Sequence, residues 1–195
     1  MVVPYYPLCI DYSIDQVYDF IYLLYQSMLE TYDASRILVT GSSSGATLGL
    51  GLAAHINAKG EGVPIPEKMY LSSPGNCFQD EKALEKGYVL NDKDILLDMS
   101  YMTKMPDIMS HGKDVPKYMI YLEEGEYTGL KEVYISYGGD EILLACYDSI
   151  IKVLRSSGVN VISEITEGLY HCYPFFPLVK EAKPGWEKMI AYHRI

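Results

Sequence analysis

The chain has 195 residues, of which 49% are hydrophobic and 22% are charged, and its net charge is −10. This composition is typical of a globular protein with a sizeable core, and it excludes a disordered or low-complexity chain. A chain this acidic has no electrostatic footprint for nucleic acid or an anionic membrane, and no run of about 20 apolar residues predicts a membrane span.

Hydrophobic periodicity predicts strands that alternate with helices along most of the chain. In chain order the predicted elements are an extended segment over 1–8, a helix over 14–31, a strand over 36–40, a helix over 46–58, a strand over 68–72, a helix over 92–103, a strand over 130–136, a helix over 141–155, a strand over 159–165 and a helix over 178–192. Ser13 and Gln16 form a capping-box pattern before the first helix. This alternation indicates an α/β fold with a mainly parallel sheet of about five strands. We expect one domain over 1–195, with an irregular insertion at about 75–128.

The strongest chemical signal is Gly41-Ser42-Ser43-Ser44-Gly45, which lies between a predicted strand and a predicted helix. A sharp turn at that place needs small flanking residues, and it lifts the hydroxyl of Ser43 out of the turn. The N–H of Ser44 then starts the helix and faces an anion. A turn without chemistry and a nucleotide site are the alternatives. The nucleotide site is disfavoured because no lysine follows and the glycines do not fit G-x-G-x-x-G.

A serine hydroxyl is a weak nucleophile, so it needs a base, usually a histidine, which a carboxylate orients. His171 is the best placed of the four histidines because it follows a predicted strand, and loops after parallel strands gather at one edge of the sheet. Asp140 follows another predicted strand and is the expected acid. Glu141 beside it could substitute, although we expect it to open the helix at its positive end.

The order Ser43, Asp140, His171 resembles that of the α/β-hydrolase superfamily, and specifically of the esterases similar to hormone-sensitive lipase. Four segments carry the resemblance: VPYYPL over 3–8, ILVTGSSSGA over 37–46, YGGDEIL over 137–143 and GLYHCYPF over 168–175. They are similar to the family patterns V-x-Y-x-L-x-P, G-D-S-A-G-[GA], G-x-x-D-x-L and G-x-x-H-x-F. The resemblance implies an α/β-hydrolase fold and a serine hydrolase that cleaves carboxylic esters through an acyl-enzyme. It implies Ser43, Asp140 and His171 as the catalytic triad, the Ser44 N–H as an oxyanion donor, and no metal or organic cofactor.

The sequence departs from the family pattern in two places. Ser42 and Ser44 stand where the family usually has Asp and Ala. The family's H-G-G-[GA] loop, which supplies oxyanion donors, is absent, together with the early strands and the N-terminal cap. We therefore expect a truncated form of an esterase of about 300 residues. The alternatives are a non-catalytic binding protein on the same fold and other acyl chemistry at the same triad.

The expected surroundings of the site follow from composition and from the resemblance. Aromatic side chains suit the walls of an apolar pocket, so Tyr6, Tyr170, Tyr173, Phe175 and Phe176 are candidates to contact a small-molecule ester. A missing neighbouring strand would leave an exposed sheet edge, which could pair with a second copy of the chain. The four scattered cysteines form no CxxC pair, and MVVPYYPLCIDY does not resemble a signal peptide. We therefore expect a cytoplasmic protein with reduced thiols.

Overall fold

A four-stranded parallel sheet organises the part of the chain that the computed structural model describes, residues 1–75 and 77–193. The strands lie side by side in the order in which they occur: β1 (Leu38–Ser42), β2 (Lys68–Ser72), β3 (Glu132–Gly138) and β4 (Asn160–Thr166). In the register Ser42 lies beside Ser72, and Ser72 lies beside Ser136. The loops that follow the strands therefore leave from one edge of the sheet.

Helices connect and flank these strands. Within the described residues they are α1 (Ile14–Leu29), α2 (Ser44–Lys59), α3 (Glu81–Asn91), α4 (Met99–Met102), α5 (Met105–Ser110), α6 (Tyr147–Ser156) and α7 (Ala182–His193). The predicted capping box is present at α1, where the Ser13 N–H donates to Gln16 Oε1 at 3.1 Å. No helix among residues 1–75 and 77–193 is long and apolar enough to cross a membrane.

The prediction of an α/β fold with a parallel sheet is confirmed, but two of its details are wrong. The sheet has four strands because residues 1–8 adopt no regular structure. Of the helix predicted over 92–103 only α4 is helical, and a turn precedes it, in which Asp94 Oδ1 accepts the N–H groups of Leu96 and Leu97. The regular helix lies earlier, at α3, where the Asp80 side chain caps the N–H of Ala83.

The helix predicted over 141–155 also begins differently. A 3-10 turn over Ile142–Cys146 comes first, and α6 follows it. The loop that carries the acidic pair Asp140 and Glu141 is therefore a separate turn after β3, and neither residue lies in the helix. This arrangement leaves both carboxylates at the edge of the sheet where β3 ends.

The core holds the first turn of α2 at the carboxyl edge of the sheet. Strand residues such as Met69, Leu71 and Ile135 are fully buried, as is usual in parallel sheets covered on both faces. The small residues of α2 allow the helix to lie close to the sheet: a Cβ atom added to Gly49 would be 3.0 Å from Val39 Cγ1. Because α2 packs on the strand that precedes it, the turn between β1 and α2 is sharp.

Candidate active site

Ser43 occupies the turn between β1 and α2 in a strained backbone conformation. Its φ of 52° and ψ of −122° lie outside the regions that non-glycine residues normally adopt, and such a conformation persists only where the surroundings enforce it. Two backbone hydrogen bonds do so here. The Ser43 N–H donates to Ser72 O at 2.9 Å, and the Thr47 N–H donates to Ser43 O at 2.9 Å. The Ser43 side chain is thereby held at the carboxyl edge of the sheet.

The two glycines of the pentapeptide have different roles. A Cβ atom on Gly41 would lie 2.4 Å from the carbonyl carbon and oxygen of Gly45, which are backbone atoms and cannot move aside. A Cβ atom on Gly45 would meet no other heavy atom within 4 Å. Steric exclusion therefore requires glycine at position 41, where strand and helix come closest, but not at position 45.

His171 lies against the hydroxyl of Ser43. The Nε2 atom of His171 and the Oγ atom of Ser43 are 2.8 Å apart, within hydrogen-bond distance, although the residues are 128 positions apart in the chain. The residue follows β4 and is 6% exposed. The Sγ atom of Cys172 also contacts Nε2, at 3.4 Å. The structure thus brings together the predicted nucleophile and the predicted base.

Glu141, and not Asp140, lies behind the histidine, which corrects the acid predicted from the sequence. Glu141 is fully buried, and its Oε2 atom is 3.4 Å from Nδ1 of His171. That distance is long for a hydrogen bond, but contacts of this kind are often long before substrate binds. Asp140 instead faces solvent, with Oδ1 3.3 Å from the ammonium of Lys93. The turn after β3 directs the two neighbouring carboxylates to different places, and only that of Glu141 lies next to His171.

Opposing influences act on the pKa of His171. Burial lowers the pKa, because it disfavours the charged ring, whereas contacts with Cys172 and with the Glu141 carboxylate raise it. The net effect is a pKa above the ordinary value of 6.5. A carboxylate beside the ring favours its charged form, so Glu141 stabilises the protonated form of His171.

Glu141 has a second partner that the sequence did not indicate. The hydroxyl of Ser73 donates to Oε2 of Glu141 at 2.8 Å. Ser73 directly follows β2 in a Ser-Ser-Pro-Gly stretch, whose local pattern indicates only a turn. No local pattern distinguishes the hydroxyl of Ser73 from that of Ser72. The contact depends on strand register, which a single sequence does not give.

Ser44, the predicted oxyanion donor, is the first residue of α2. The first N–H groups of a helix have no acceptor within the helix, and the positive end of the helix dipole favours an anion there. The side chain of Ser44 is exposed, and its Oγ atom is 3.4 Å from the hydroxyl of Tyr6. This position is compatible with an oxyanion next to Ser43.

An apolar cavity of about 700 Å³ adjoins Ser44. The residues that line it come from the N-terminal segment, α1, α2 and the region of α4 and α5: Tyr6, Pro7, Leu8, Cys9, Ile10, Ile14, Val17, Ser44, Thr47, Leu48, Tyr101, Met105, Asp107, Ile108, Met109 and His111. Of the predicted pocket residues, Tyr6 therefore lines the cavity. The aromatic residues after His171 do not line it.

Those aromatic residues pack elsewhere. The hydroxyl of Tyr173 lies 2.8 Å from Thr166 Oγ1, and Tyr173 is buried. Phe175 packs edge to face on Trp186 of α7, and Tyr170 packs edge to face on Phe176. These contacts pack the loop that carries His171 against β4 and α7. The prediction that Tyr170, Tyr173 and Phe175 line the pocket is corrected accordingly.

Comparisons with known proteins agree with this fold. A family model described as alpha/beta hydrolase fold matches residues 1–175. An acetyl-hydrolase of Streptomyces hygroscopicus is 25% identical over 160 residues, which are 82% of this chain and 52% of that protein. The chain thus spans about half the length of this curated relative.

Solved structures show the same fold. A crystal structure of an esterase from the bacterial hormone-sensitive lipase family is similar with a TM-score of 0.85 and 21% identity, over 97% of this chain and 63% of that one. A hormone-sensitive lipase from a metagenome library has a TM-score of 0.83 and 23% identity, over 96% of this chain and 63% of that one. At these identities the likeness establishes the fold, and the chemistry has to be argued from the site.

Proposed function

Because the chain belongs to the α/β-hydrolase fold family, whose model matches residues 1–175, we propose that it is a serine esterase in which Ser43, His171 and Glu141 act together. The observation that carries the proposal is the 2.8 Å contact between Ser43 Oγ and His171 Nε2, with a buried carboxylate behind the ring. A nucleophile, a base within reach and a group that orients the base are the parts that acyl transfer requires. Three separate loops supply them.

The proposed reaction begins at Ser43. Its Oγ atom attacks the carbonyl carbon of an ester while Nε2 of His171 takes the hydroxyl proton. The negative oxygen of the tetrahedral intermediate is stabilised by the Ser44 N–H at the start of α2. His171 then gives its proton to the departing alkoxide, which leaves as an alcohol, and the acyl group remains on Ser43.

Water completes the cycle. His171 takes a proton from water, the resulting hydroxide attacks the acyl-enzyme, and the same proton returns to Ser43 as the carboxylic acid leaves. Throughout, Glu141 holds the imidazole by its Nδ1 side and stabilises the imidazolium that forms twice in each cycle. The carboxylate keeps its charge and does not itself take a proton.

A small ester with an apolar acyl or alcohol part is the substrate class that the surroundings favour. The cavity beside Ser44 is lined mainly by aliphatic and thioether side chains, such as those of Leu48, Ile108 and Met109. Apolar walls with few polar groups are typical of sites that bind small organic molecules. The backbone of Ser43 also argues against a mere binding protein, because a strained conformation of this kind costs about 1–3 kcal/mol.

Hydrolysis of p-nitrophenyl acetate and p-nitrophenyl butyrate by the 195-residue chain tests the proposal, with Ser43→Ala as the matched control. The expected result is turnover of both esters by the parent chain and a loss of about 10⁴-fold or more in kcat for Ser43→Ala. Turnover that survives in Ser43→Ala would sink the assignment. A folded parent chain without turnover would favour the non-catalytic alternative.

A further inference from the structure

Ser73 has a backbone conformation that its residue type does not favour. Its φ is 53°, in the left-handed region that suits glycine. Within residues 1–75 and 77–193, four non-glycine residues have a positive φ: Ser43, Ser73, His111 and Cys172. Ser43, Ser73 and Cys172 belong to or contact the group formed by Ser43, Glu141 and His171, whereas His111 lines the adjoining cavity. Strained backbone concentrates where a side chain has to point in one direction for function.

The polar groups of Ser73 join the loops that follow three different strands. Its N–H donates to Ser136 O at 2.7 Å, at the end of β3. Its hydroxyl donates to Glu141 Oε2 at 2.8 Å and accepts the N–H of Cys172 at 3.3 Å. Since Cys172 follows His171 directly, one hydroxyl contacts both the acid and the histidine loop.

We propose that Ser73 is a positioning residue, which fixes the Glu141 carboxylate and the histidine loop in the arrangement that activates His171. This inference rests on the proposed function. The oxygen that receives the Ser73 hydroxyl, Oε2, is also the one that faces His171 Nδ1. The other oxygen, Oε1, is buried and has no hydrogen-bond partner among the described residues. Ser73 is therefore the group that holds the carboxylate in its rotamer.

The consequence is a role in catalysis without contact to the substrate. If the hydroxyl of Ser73 is removed, the carboxylate can turn away from the ring, and His171 loses the charge that stabilises its protonated form. The titratable groups that face His171 are Glu141 and Cys172, so loss of the first leaves only the thiol. Turnover should fall while the affinity for substrate stays the same.

Three variants separate positioning from a structural role. Ser73→Ala removes the hydroxyl and keeps the strained backbone. Ser73→Gly removes the hydroxyl and relieves the strain, because glycine adopts a positive φ freely. Ser72→Ala is the matched control. It removes the same atom from the neighbouring residue, which is equally buried at 1% exposure, and whose hydroxyl has no hydrogen-bond partner among the described residues.

The measurements are kcat and KM with p-nitrophenyl acetate, the pH profile of kcat/KM, and the melting temperature. We expect Ser73→Gly to melt no lower than the parent and to lose about tenfold to 100-fold in kcat, because it removes orientation but not the base itself. KM should stay within about twofold, and the acidic limb of the pH profile should move to lower pH. Ser72→Ala should keep the parent kcat and pH profile.

Two results would overturn the inference. One is a parent-like kcat and pH profile in Ser73→Gly. The other is a loss of kcat in Ser73→Ala that Ser73→Gly restores, because relief of strain would then account for the whole effect. The failure of the proposed function is recognised separately, since turnover by the parent that survives Ser43→Ala concerns the nucleophile and not Ser73.

Discussion

The two halves of the candidate site are built in different ways. The chemical half consists of Ser43, Glu141 and His171, which follow β1, β3 and β4. Burial and hydrogen bonds hold this group in place, and Ser43 has a strained backbone. The pocket half is the cavity beside Ser44, whose walls come from the N-terminal segment, α1, α2 and the region of α4 and α5. Residues 1–8 of that segment have no regular structure, and Val3, Tyr5 and Leu8 are exposed.

Because of this difference, we expect the two halves to respond differently to mutation. Parallel strands in register bring the chemical residues to one edge of the sheet. A small displacement of one reacting atom there interrupts proton transfer. The pocket walls contribute shape and apolar surface, which change gradually with side-chain volume. We therefore expect large losses of turnover from the first half and modest shifts of substrate preference from the second.

Among variants of the two halves, substitution of the acid should have the largest effect on turnover. Glu141→Gln keeps the shape of the side chain and removes the charge that stabilises protonated His171, so kcat should fall by about 10²–10⁴-fold. Asp140→Asn is the matched control, because Asp140 faces Lys93 and solvent. It should change kcat by no more than about twofold. Equal losses from both variants in the p-nitrophenyl acetate assay would contradict the assignment of Glu141.

Close packing at the turn between β1 and α2 should appear as a loss of stability when Gly41 is enlarged. In Gly41→Ala the new Cβ meets backbone atoms at 2.4 Å, so the free energy of unfolding should fall by about 3 kcal/mol. Gly45→Ala introduces the same methyl group into open space in α2 and should raise the free energy of unfolding by about 0.5–1 kcal/mol. Urea titration of both variants checks this pair. Similar stabilities would mean that strand and helix are not in close contact at Gly41.

The pH dependence of kcat/KM should reflect the groups that contact His171. Only the neutral ring can accept the Ser43 proton, so kcat/KM rises as His171 loses its proton. Because contacts with Cys172 and Glu141 raise the pKa of His171 above 6.5 against the effect of burial, the rising limb should lie above pH 6.5. Below that limb kcat/KM should change about tenfold per pH unit. In Glu141→Gln the limb should move to lower pH. A limb at or below pH 6.5 in the parent would contradict the charge stabilisation.

The smallest effect should come from the pocket. Ile108→Trp fills part of the cavity and should lower the ratio of kcat/KM for butyrate to that for acetate by up to about tenfold, because the longer acyl chain loses space. Ile95→Trp, at a position that is 71% exposed and outside the cavity, is the control and should leave the ratio unchanged. An unchanged ratio in Ile108→Trp would mean that the acyl chain lies elsewhere.

The sequence allowed much of the chemical half to be predicted. Glycines around Ser43, between a strand and a helix, indicate a sharp turn, and a histidine after a later strand indicates the base. These signals are local, and sheet topology then brings them together. The choice between Asp140 and Glu141 could not be predicted locally, because it depends on how the turn after β3 directs each carboxylate. The contacts of Ser73 depend on register for the same reason.

The pocket half was less accessible to sequence analysis. Tyr6 was predicted as a pocket residue and lines the cavity, but Tyr173 and Phe175 pack against Thr166 and Trp186 instead. Aromatic residues fit a core as well as a pocket wall, so composition does not separate the two. The rest of the wall combines residues from separate parts of the chain, among them α1, α2 and α5, whose packing is long-range. The helix α3 also lies at a place that apolar periodicity did not predict. Its N-terminus is capped by the Asp80 side chain, which accepts the N–H of Ala83.

Covalent labelling with a fluorophosphonate measures whether His171 activates Ser43. The intact mass of the folded parent should increase by one adduct, which peptide mapping should place on Ser43. Ser43→Ala should not be labelled, and His171→Asn should be labelled at least about 100-fold more slowly because its serine lacks a base. An adduct on another residue, or equal labelling rates for the parent and His171→Asn, would contradict the activation of Ser43 by His171.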